Sequence, residues 1–486
     1  MAVASPARTT ALHLLGMQRR RSGRARDLLR GAQEMRSLGS RGKALATRLV
    51  LGVNAAAGEL DWRIDGFAAK PGQLEPRVRD ALRLSAFELL YLETPRQVAA
   101  SQGVELVRSV QPRAARMANA VLRRIADCRG EVDAARVAVG AMAEGGPVAS
   151  TDDLCRASGY PAWLVRRLVA DLGVERAALA CLCALEAAPV FVACGHMDAN
   201  EPEVVARLED LGLAVSRDGL PGSWELGGAA GLAASGLLER SDIVASDLAA
   251  QVVCRMAATA RGRMLEVGQG RGTKSLLLAR AMGECGAEGD ARPEPWVVGC
   301  EVVASKVESC VARMGRAGLA GLVTSVSFDA TRLAERDVPV ELAGPFETVL
   351  VDAPCSGTGT MRRHPEIPWL LDPEALAASA ERSLPALQLR MLSAAASRVV
   401  SGGELVYATC SVLAVENEGV VRAFLESPAG AGFERADVLD AVGVRSLPEA
   451  GRAIVAANRT ETGAFQSSPT PGSYDGHFCA CLRRTS

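Results

Sequence analysis

The sequence predicts a multidomain protein with an all-α N-terminal domain, a small α+β middle module and a C-terminal α/β domain with a Rossmann-like sheet. Two observations predict this order. Apolar residues recur at helical spacing early in the chain, and short apolar runs alternate with helical stretches late in it. With 486 residues, 49% hydrophobic and 23% charged, the chain is long enough for several domains. The predicted bounds are 6–127 for the helical domain, 128–149 for a linker, 150–240 for the module and 241–486 for the α/β domain.

The N-terminal domain is predicted to consist of helices. Apolar residues between Val78 and Leu90 have helical spacing; Pro76 suits a first helical turn, and Pro95 follows the end of the segment. Pro112 divides the two segments that come next. The predicted helices cover residues 8–15, 76–92, 97–110 and 113–125.

The start of the chain is strongly basic. Residues 1–48 contain eleven Arg or Lys and two acidic residues, whereas the whole chain has a net charge of −1. The cluster Arg19, Arg20, Arg21 and Arg24 is typical of a surface that binds a polyanion. A solvated basic helix face without a partner is the alternative.

The middle of the chain is less regular. Residues 128–149 are small and Ala-rich, which predicts a linker or a weak helix. Helices are predicted over 161–172 and 203–211, and strands over Val190–Cys194 and 213–216. These segments define the small α+β module.

From about residue 241 the pattern changes to short apolar runs separated by helical stretches. Strands that alternate with helices predict βαβ units and a parallel sheet covered on both faces. The predicted strands are Met264–Val267, 296–301, 324–329, 348–352 and 404–409.

Cysteine and histidine usage excludes several classes of protein. The thirteen cysteines are scattered, and we see no secretory signal, so a disulfide framework is not expected. With four histidines and no zinc-type cysteine spacing, we expect no metal site. Glu186 and Pro189 interrupt the most apolar stretch, so we expect no membrane span. We expect a cytoplasmic protein that acts as a monomer.

A glycine-rich turn follows the first predicted strand of the α/β domain, in the run 268–274 (GQGRGTK). Such a turn lets the backbone approach a ligand closely and directs helix N–H groups at it. Glu301 and Asp329 end the next two strands, where acids accept hydrogen bonds from ribose hydroxyls and meet an adenine edge. The predicted cofactor residues are Glu266, Gly268, Gln269, Gly270, Gly272, Lys274, Glu301, Lys306, Asp329 and Asp352.

Two nucleoside cofactors compete for this site. NAD usually requires G-x-G-x-x-G, and here the third glycine comes one position early. Glu266, just before the turn, suits a cationic sulfonium or amine better than a pyrophosphate. The pattern therefore favours S-adenosylmethionine, with a Rossmann-type oxidoreductase as the alternative.

Two thiols end the next two predicted strands. Cys355 lies in the run 352–360 (DAPCSGTGT) after one strand, and Cys410 follows the other. A thiolate that adds to carbon 6 of a cytosine makes carbon 5 nucleophilic toward a methyl donor, which is covalent catalysis. Cysteine suits this role because its thiolate forms near neutral pH and leaves readily. A carboxylate can accept from the amino group of the cytosine and, if protonated, can donate to N3.

These runs carry a family resemblance. Residues 352–369 (DAPCSGTGTMRRHPEIPW) and 405–418 (LVYATCSVLAVENE) resemble the Sun/Fmu family of RNA cytosine-5 methyltransferases. The resemblance implies that Cys410 is the nucleophile, Cys355 assists product release and Asp352 contacts the base. Residues 82–107 and 118–125 resemble the NusB-like RNA-binding domain attached to such enzymes.

The glycine-rich turn departs from the family. The family usually has Cys-Ala-Ala-Pro-Gly-Gly-Lys-Thr, whereas this chain keeps Gly272 and Lys274 of that pattern and lacks the proline and one glycine. We still expect the cofactor to bind, with an altered turn. A non-catalytic RNA-binding scaffold derived from such an enzyme is the alternative that this departure leaves open.

The expected partner is RNA. A base must leave its stack to reach a thiol, so single-stranded or loop RNA is the expected substrate. Arg362, Arg363 and His364 follow the Cys355 run and are predicted to hold flanking phosphates. The paired domains imply 16S ribosomal RNA, and transfer RNA is the alternative.

Overall fold

A computed structural model describes residues 4–21, 23–195, 200–217, 219–229, 231–232, 234–285 and 294–485. The chain divides into two compact units. The helical unit consists of Met1–Ala187 with Thr360–Leu371, and the sheet unit consists of Ala188–Gly359 with Asp372–Ser486. No helix among the described residues is long and apolar enough to cross a membrane.

The helices, in chain order, are α1 (Pro6–Arg21), α2 (Ala25–Gly31), α3 (Gln33–Arg36), α4 (Ser40–Ala55), α5 (Ala57–Phe67), α6 (Pro76–Tyr91), α7 (Arg96–Val110), α8 (Ala115–Asp127), α9 (Arg129–Ala143), α10 (Thr151–Ser158), α11 (Ala162–Leu172), α12 (Val174–Cys183), α13 (Glu201–Asp210), α14 (Leu248–Ala257), α15 (Thr273–Cys285), α16 (Ala304–Arg316), α17 (Ile367–Leu370), α18 (Leu384–Ala396), α19 (Glu418–Leu425), α20 (Val442–Arg445) and α21 (Glu449–Ala457).

The strands are β1 (Val190–Cys194), β2 (Val215–Arg217), β3 (Ser223–Leu226), β4 (Ile243–Ala245), β5 (Met264–Val267), β6 (Val297–Glu301), β7 (Val323–Ser327), β8 (Phe346–Asp352), β9 (Val399–Thr409), β10 (Phe433–Ala436), β11 (Phe465–Gln466) and β12 (Phe478–Arg484).

Helix α6 is buried along most of its length in the helical unit. It begins where the sequence predicts, because Pro76 occupies the first turn and the Glu75 carboxylate accepts from the Val78 N–H at 3.1 Å. Gly52 of α4 packs against the Phe87 ring so closely that a Cβ there would lie 1.9 Å from the ring. The lack of a side chain at Gly52 therefore lets α4 approach α6.

The predicted linker 128–149 contains the helix α9. Its buried residues Val132, Ala135, Val139 and Met142 recur at helical spacing, and α9 packs against α10 and α12. These helices belong to the helical unit, which continues to Ala187. The structure therefore divides the predicted module 150–240: its helices α10–α12 join the helical unit, and its strands join the sheet unit.

A small antiparallel sheet opens the sheet unit, with strand order β2-β3-β1-β4. Its β1 matches the predicted strand, and β4 lies beyond the predicted bound at residue 240. Trp224 of β3 is among the largest fully buried side chains and packs in the core of this sheet.

The large sheet has the order β10-β12-β9-β8-β5-β6-β7, with β11 paired to β12. Strands β7, β6, β5, β8 and β9 are parallel, and β12 pairs antiparallel with β9. Alternate residues of the buried strands pack into two cores. One core holds α14 and α15, and the other holds α18 and α19. This is the predicted Rossmann-like sheet covered on both faces.

The chain order reverses at β5. From β5 the sheet grows outward through β6 and β7 on one side, and then through β8 and β9 on the other. In such sheets, ligands bind outside the carboxyl ends of the strands at the point of reversal. The glycine-rich turn after β5 and the Asp352 run after β8 meet at this point.

Candidate active site

The glycine-rich turn links β5 to α15. Gly268, Gly270 and Gly272 all have positive φ, at 81°, 61° and 78°. A Cβ at Gly268 would lie 2.3 Å from the Asp352 carbonyl oxygen, and one at Gly272 would lie 2.4 Å from Cys310 Sγ. Only glycine satisfies both the backbone conformation and the close approach at these two positions.

A buried polar chain lies beneath this turn. Ser275 Oγ donates to Glu266 Oε2 at 2.5 Å, and Gln269 Nε2 donates to Ser275 Oγ at 3.0 Å. Burial raises the pKa of Glu266 to about 8, against the effect of the Ser275 hydrogen bond. Glu266 Oε1 and Gln269 Oε1 are buried without a hydrogen-bond partner among the described residues. Two acceptors therefore remain available to polar hydrogens of a ligand.

Glu301 organises the turn from the neighbouring strand. Its Oε2 accepts from the Gly270 N–H and its Oε1 from the Val303 N–H, both at 3.0 Å. Lys306 Nζ lies 3.4 Å from Glu301 Oε1. Asp329, just beyond β7, is exposed, and its Oδ1 accepts from Thr331. The structure thus brings the predicted acids to one edge of the sheet.

Lys274 and Asp352 form an ion pair at 2.8 Å that was not predicted from the sequence. Burial by itself lowers the pKa of Lys274, but the Asp352 carboxylate more than offsets burial, so the pKa is raised. Lys274 therefore carries a positive charge that orients Asp352.

The two predicted thiols lie together. Cys355 Sγ and Cys410 Sγ are 3.3 Å apart, and both are free thiols. The pKa of Cys410 is lowered because it accepts a hydrogen bond from Cys355 and lies near the positive Lys274, although burial opposes this. The pKa of Cys355 is raised, since both the hydrogen bond to Cys410 and burial favour its neutral form. Of the two thiols, Cys410 is therefore the more acidic and Cys355 the less acidic.

The loops that carry the thiols are bonded to each other. The Gly359 N–H donates to the Cys410 carbonyl at 2.9 Å, and the Val412 N–H donates to Thr358 Oγ1 at 3.2 Å. The Glu416 carboxylate lies beneath both loops. Glu416 lies in the run 405–418, but no role is predicted for it from the sequence.

The predicted RNA-binding residues lie in Thr360–Leu371, which groups with the helical unit. Within that unit, Arg26 Nε donates to the Arg363 carbonyl at 2.6 Å, and the Trp369 indole donates to the Asn54 carbonyl at 2.9 Å. Arg362 is only 5% exposed, so it is not open to an RNA phosphate in this conformation, contrary to expectation. Arg363 and His364 are partly exposed, and their phosphate contacts stay a prediction.

No group of three or more His, Cys, Asp or Glu side chains that could hold a metal ion occurs in the described part of the chain.

Comparisons with known proteins agree with both units. Residues 293–483 match the family described as 16S rRNA methyltransferase RsmB/F, and residues 5–127 match the NusB family. Ribosomal RNA small subunit methyltransferase B from Thermus thermophilus is 33% identical over 408 residues, covering 83% of this chain and 84% of the relative. A probable ribosomal RNA small subunit methyltransferase B from Bacillus subtilis is 26% identical and covers 94% of both chains.

Solved structures share the fold. PH0851 superposes with a TM-score of 0.72 at 20% identity, covering all of both chains. NSun6 from Pyrococcus horikoshii, solved with SFG, has a TM-score of 0.51 at 14% identity and covers 67% of this chain and 98% of that one. Taken together, the fold and the matches define an RNA methyltransferase. Within that class, the chain belongs to the RsmB/F family of 16S rRNA methyltransferases and carries a NusB domain.

Proposed function

We propose that this protein transfers a methyl group from S-adenosylmethionine to carbon 5 of a cytosine in 16S ribosomal RNA through a covalent bond between Cys410 and carbon 6. The observation that carries the proposal is the thiol pair. Two thiols 3.3 Å apart, one with a lowered and one with a raised pKa, supply both a nucleophile and a proton-bearing partner. Covalent activation of a pyrimidine requires a nucleophile that attacks and later leaves.

The residues at the turn fit S-adenosylmethionine. The positive-φ glycines form a cradle without side chains, and the unpartnered oxygens of Glu266 and Gln269 can accept from an amine. Glu301 would hold the ribose hydroxyls with Lys306 beside it, and Asp329 would meet the adenine edge. When bound, the cofactor supplies an electrophilic methyl group.

The protein's own groups account for the covalent steps. The Cys410 thiolate donates its electron pair to carbon 6 of the cytosine, and a C–S bond forms. Electron density moves to carbon 5, which gains the methyl group. Asp352, oriented by Lys274, hydrogen-bonds the amino edge of the base and stabilises the ring during addition.

Release reverses the addition. The proton on carbon 5 passes to a water molecule acting as base, the electron pair of the C–H bond restores the double bond between carbons 5 and 6, and the C6–S bond breaks to return the Cys410 thiolate. Cys355 lies close enough to Cys410 to assist this step. Loss of Cys355 should therefore leave the first addition intact and stall the release.

The substrate assignment follows the family. The relatives are ribosomal RNA small subunit methyltransferases, and the NusB domain supplies a second RNA-binding element. Because the target base must be unstacked, we propose a single-stranded or loop cytosine, with Arg363 and His364 contacting flanking phosphates. The basic N-terminal helices add a salt-dependent hold on the RNA.

The test is transfer of labelled methyl from S-adenosylmethionine to small-subunit ribosomal RNA that lacks the modification, followed by nucleoside analysis. We expect 5-methylcytidine with the wild-type protein and none with Cys410→Ala, which should still bind the cofactor. Cys355→Ala should accumulate a protein–RNA adduct that survives denaturation. Cys285→Ala, a partly exposed thiol in the same unit, is the matched control and should behave as wild type.

Three results would count against the proposal. Methylation by Cys410→Ala would refute the nucleophile, and a different methylated nucleoside would refute the chemistry. Transfer to transfer RNA but not to ribosomal RNA would refute the substrate while leaving the reaction intact.

A further inference from the structure

One carboxylate joins the residues that follow the two thiols. Glu416 is completely buried, with 0% exposure. Its Oε1 accepts from the Ser356 N–H at 2.8 Å, and its Oε2 accepts from Ser356 Oγ at 2.5 Å and from Ser411 Oγ at 2.6 Å. Gln388 Nε2 supplies a fourth donor at 3.0 Å. Ser356 comes directly after Cys355, and Ser411 comes directly after Cys410.

The Glu416 backbone is itself fixed. The Tyr407 hydroxyl donates to the Glu416 carbonyl at 2.6 Å. The neighbouring Asn417 accepts from Thr409 Oγ1 at 2.6 Å and donates to the Ser411 carbonyl at 3.0 Å. These bonds tie the turn after β9 back onto the strand, so the carboxylate is held in place before any substrate binds.

The three hydroxyls above the carboxylate form a closed cluster. Ser356 Oγ lies 3.2 Å from Thr358 Oγ1 and 3.3 Å from Ser411 Oγ, and Thr358 Oγ1 lies 3.0 Å from Ser411 Oγ. Each hydroxyl has one proton to donate, and those of Ser356 and Ser411 are directed at Glu416. Without the carboxylate, the Ser356 N–H and the hydroxyl protons of Ser356 and Ser411 would lose their acceptor, and the loops would lose their common partner.

We propose that Glu416 is a positioning residue that sets the separation of Cys355 and Cys410 by bonding the residue after each of them. The proposal rests on the function proposed above. This positioning role explains why an acidic side chain is buried at the junction of the two loops, where an unpaired charge would be costly. Glu416 has no direct contact with the reacting atoms in this scheme and acts through the two thiols.

The deciding test measures thiol separation without RNA or cofactor. Phenylarsine oxide bridges two close thiols by forming two As–S bonds with loss of one water, so its affinity reports whether Cys355 and Cys410 are adjacent. Phenylarsine oxide that still binds to Cys410→Ala is bound by other cysteines, so this background is subtracted. Glu416→Gln keeps the shape but places an amide donor where two hydroxyls need an acceptor.

The matched control is Glu418→Gln, two residues along, whose partly exposed carboxylate bonds Arg435 and Thr462 instead. We expect the affinity of Glu416→Gln for phenylarsine oxide to fall about tenfold or more, since bidentate binding depends on effective concentration. We expect kcat for methyl transfer to fall about 100-fold, with KM for RNA and cofactor nearly unchanged. Glu418→Gln should match wild type in all three readouts.

An unchanged affinity of Glu416→Gln for phenylarsine oxide would overturn the proposal, whatever happens to kcat. If Glu416→Gln does not fold, Ser411→Ala removes one of the two hydroxyl donors, and it must then lower both the affinity and kcat by several-fold. If wild type methylates no RNA, the proposed function fails, but the phenylarsine oxide comparison still decides the role of Glu416.

Discussion

Alanine in place of Gly268 tests the contact between the glycine-rich turn and the Asp352 run. The substitution places a side chain in a left-handed conformation at φ 81°, which costs about 1–2 kcal/mol. It also places a Cβ 2.3 Å from the Asp352 carbonyl oxygen. The oxygen belongs to the backbone, so it cannot turn aside as a flexible side chain could. To restore ordinary van der Waals contact, it must move by about 1 Å together with the end of the strand.

The movement affects activity through Asp352. This residue ends β8 and carries the carboxylate that Lys274 orients, three residues before Cys355. A displacement of about 1 Å at reacting groups can lower the rate about 100-fold. We therefore expect kcat for methyl transfer to fall by roughly two orders of magnitude in Gly268→Ala.

The assay compares Gly268→Ala with Gly318→Ala. Gly318 follows α16 with φ 70°, and no atom lies within 4 Å of its Cβ position, so this variant has the backbone cost without the clash. Both should unfold a few degrees lower than wild type, since about 1 kcal/mol shifts Tm by about 2–4 °C in domains of this size. Gly318→Ala should keep full methyl transfer. Activity of Gly268→Ala within threefold of wild type would refute the reasoning.

Two further predictions concern charge. Lys274→Met should raise the pH at which iodoacetamide alkylates Cys410, because the lysine charge helps to lower the pKa of that thiol. Lys70→Met, on the exposed surface of the helical unit, is the control, and equal alkylation midpoints in the two variants would contradict the assignment. For Glu266, the pKa of about 8 in the folded protein exceeds the ordinary 4.5, so the folded state retains a proton that the unfolded chain loses between these values. The free energy of unfolding of wild type should therefore fall relative to that of Glu266→Gln as pH rises from 5 to 8, by at most about 4 kcal/mol. Denaturant titrations at both pH values check this, and a constant difference would show that the pKa is not raised.

Much of the α/β domain could be predicted because its signals are local. The run 264–267 is apolar and ends at glycines, and the structure places β5 there. The runs that contain Cys355 and Cys410 follow the ends of two neighbouring parallel strands. Once β8 and β9 were predicted, the two thiols could therefore be expected to lie close together. For the run 128–149 the small residues left a linker and a weak helix as alternatives, and the spacing of Val132, Ala135, Val139 and Met142 contains the signal for the helix α9 that the structure has there.

The contacts within the site could not be predicted in the same way. Nothing local shows that Glu416 is buried or that it accepts from Ser356, which lies 60 residues earlier. The burial of Arg362 likewise has no local signal, and the run Thr360–Leu371 groups with helices that lie far from it in sequence. Sequence patterns give the faces of strands and helices, whereas the partner of a buried polar group is set by tertiary packing.

The position of β12 has a consequence for the order of assembly during synthesis. This strand comes last among the described strands, yet it lies between β9 and β10 and pairs along β9 from Thr409 to Glu404. Until the ribosome has released β12, β9 has an unpaired edge beside the strand end that bears Cys410, and such edges invite pairing with other chains. The nascent protein would therefore be exposed to misassociation over the interval between these two strands, and chaperone capture is expected to be strongest there.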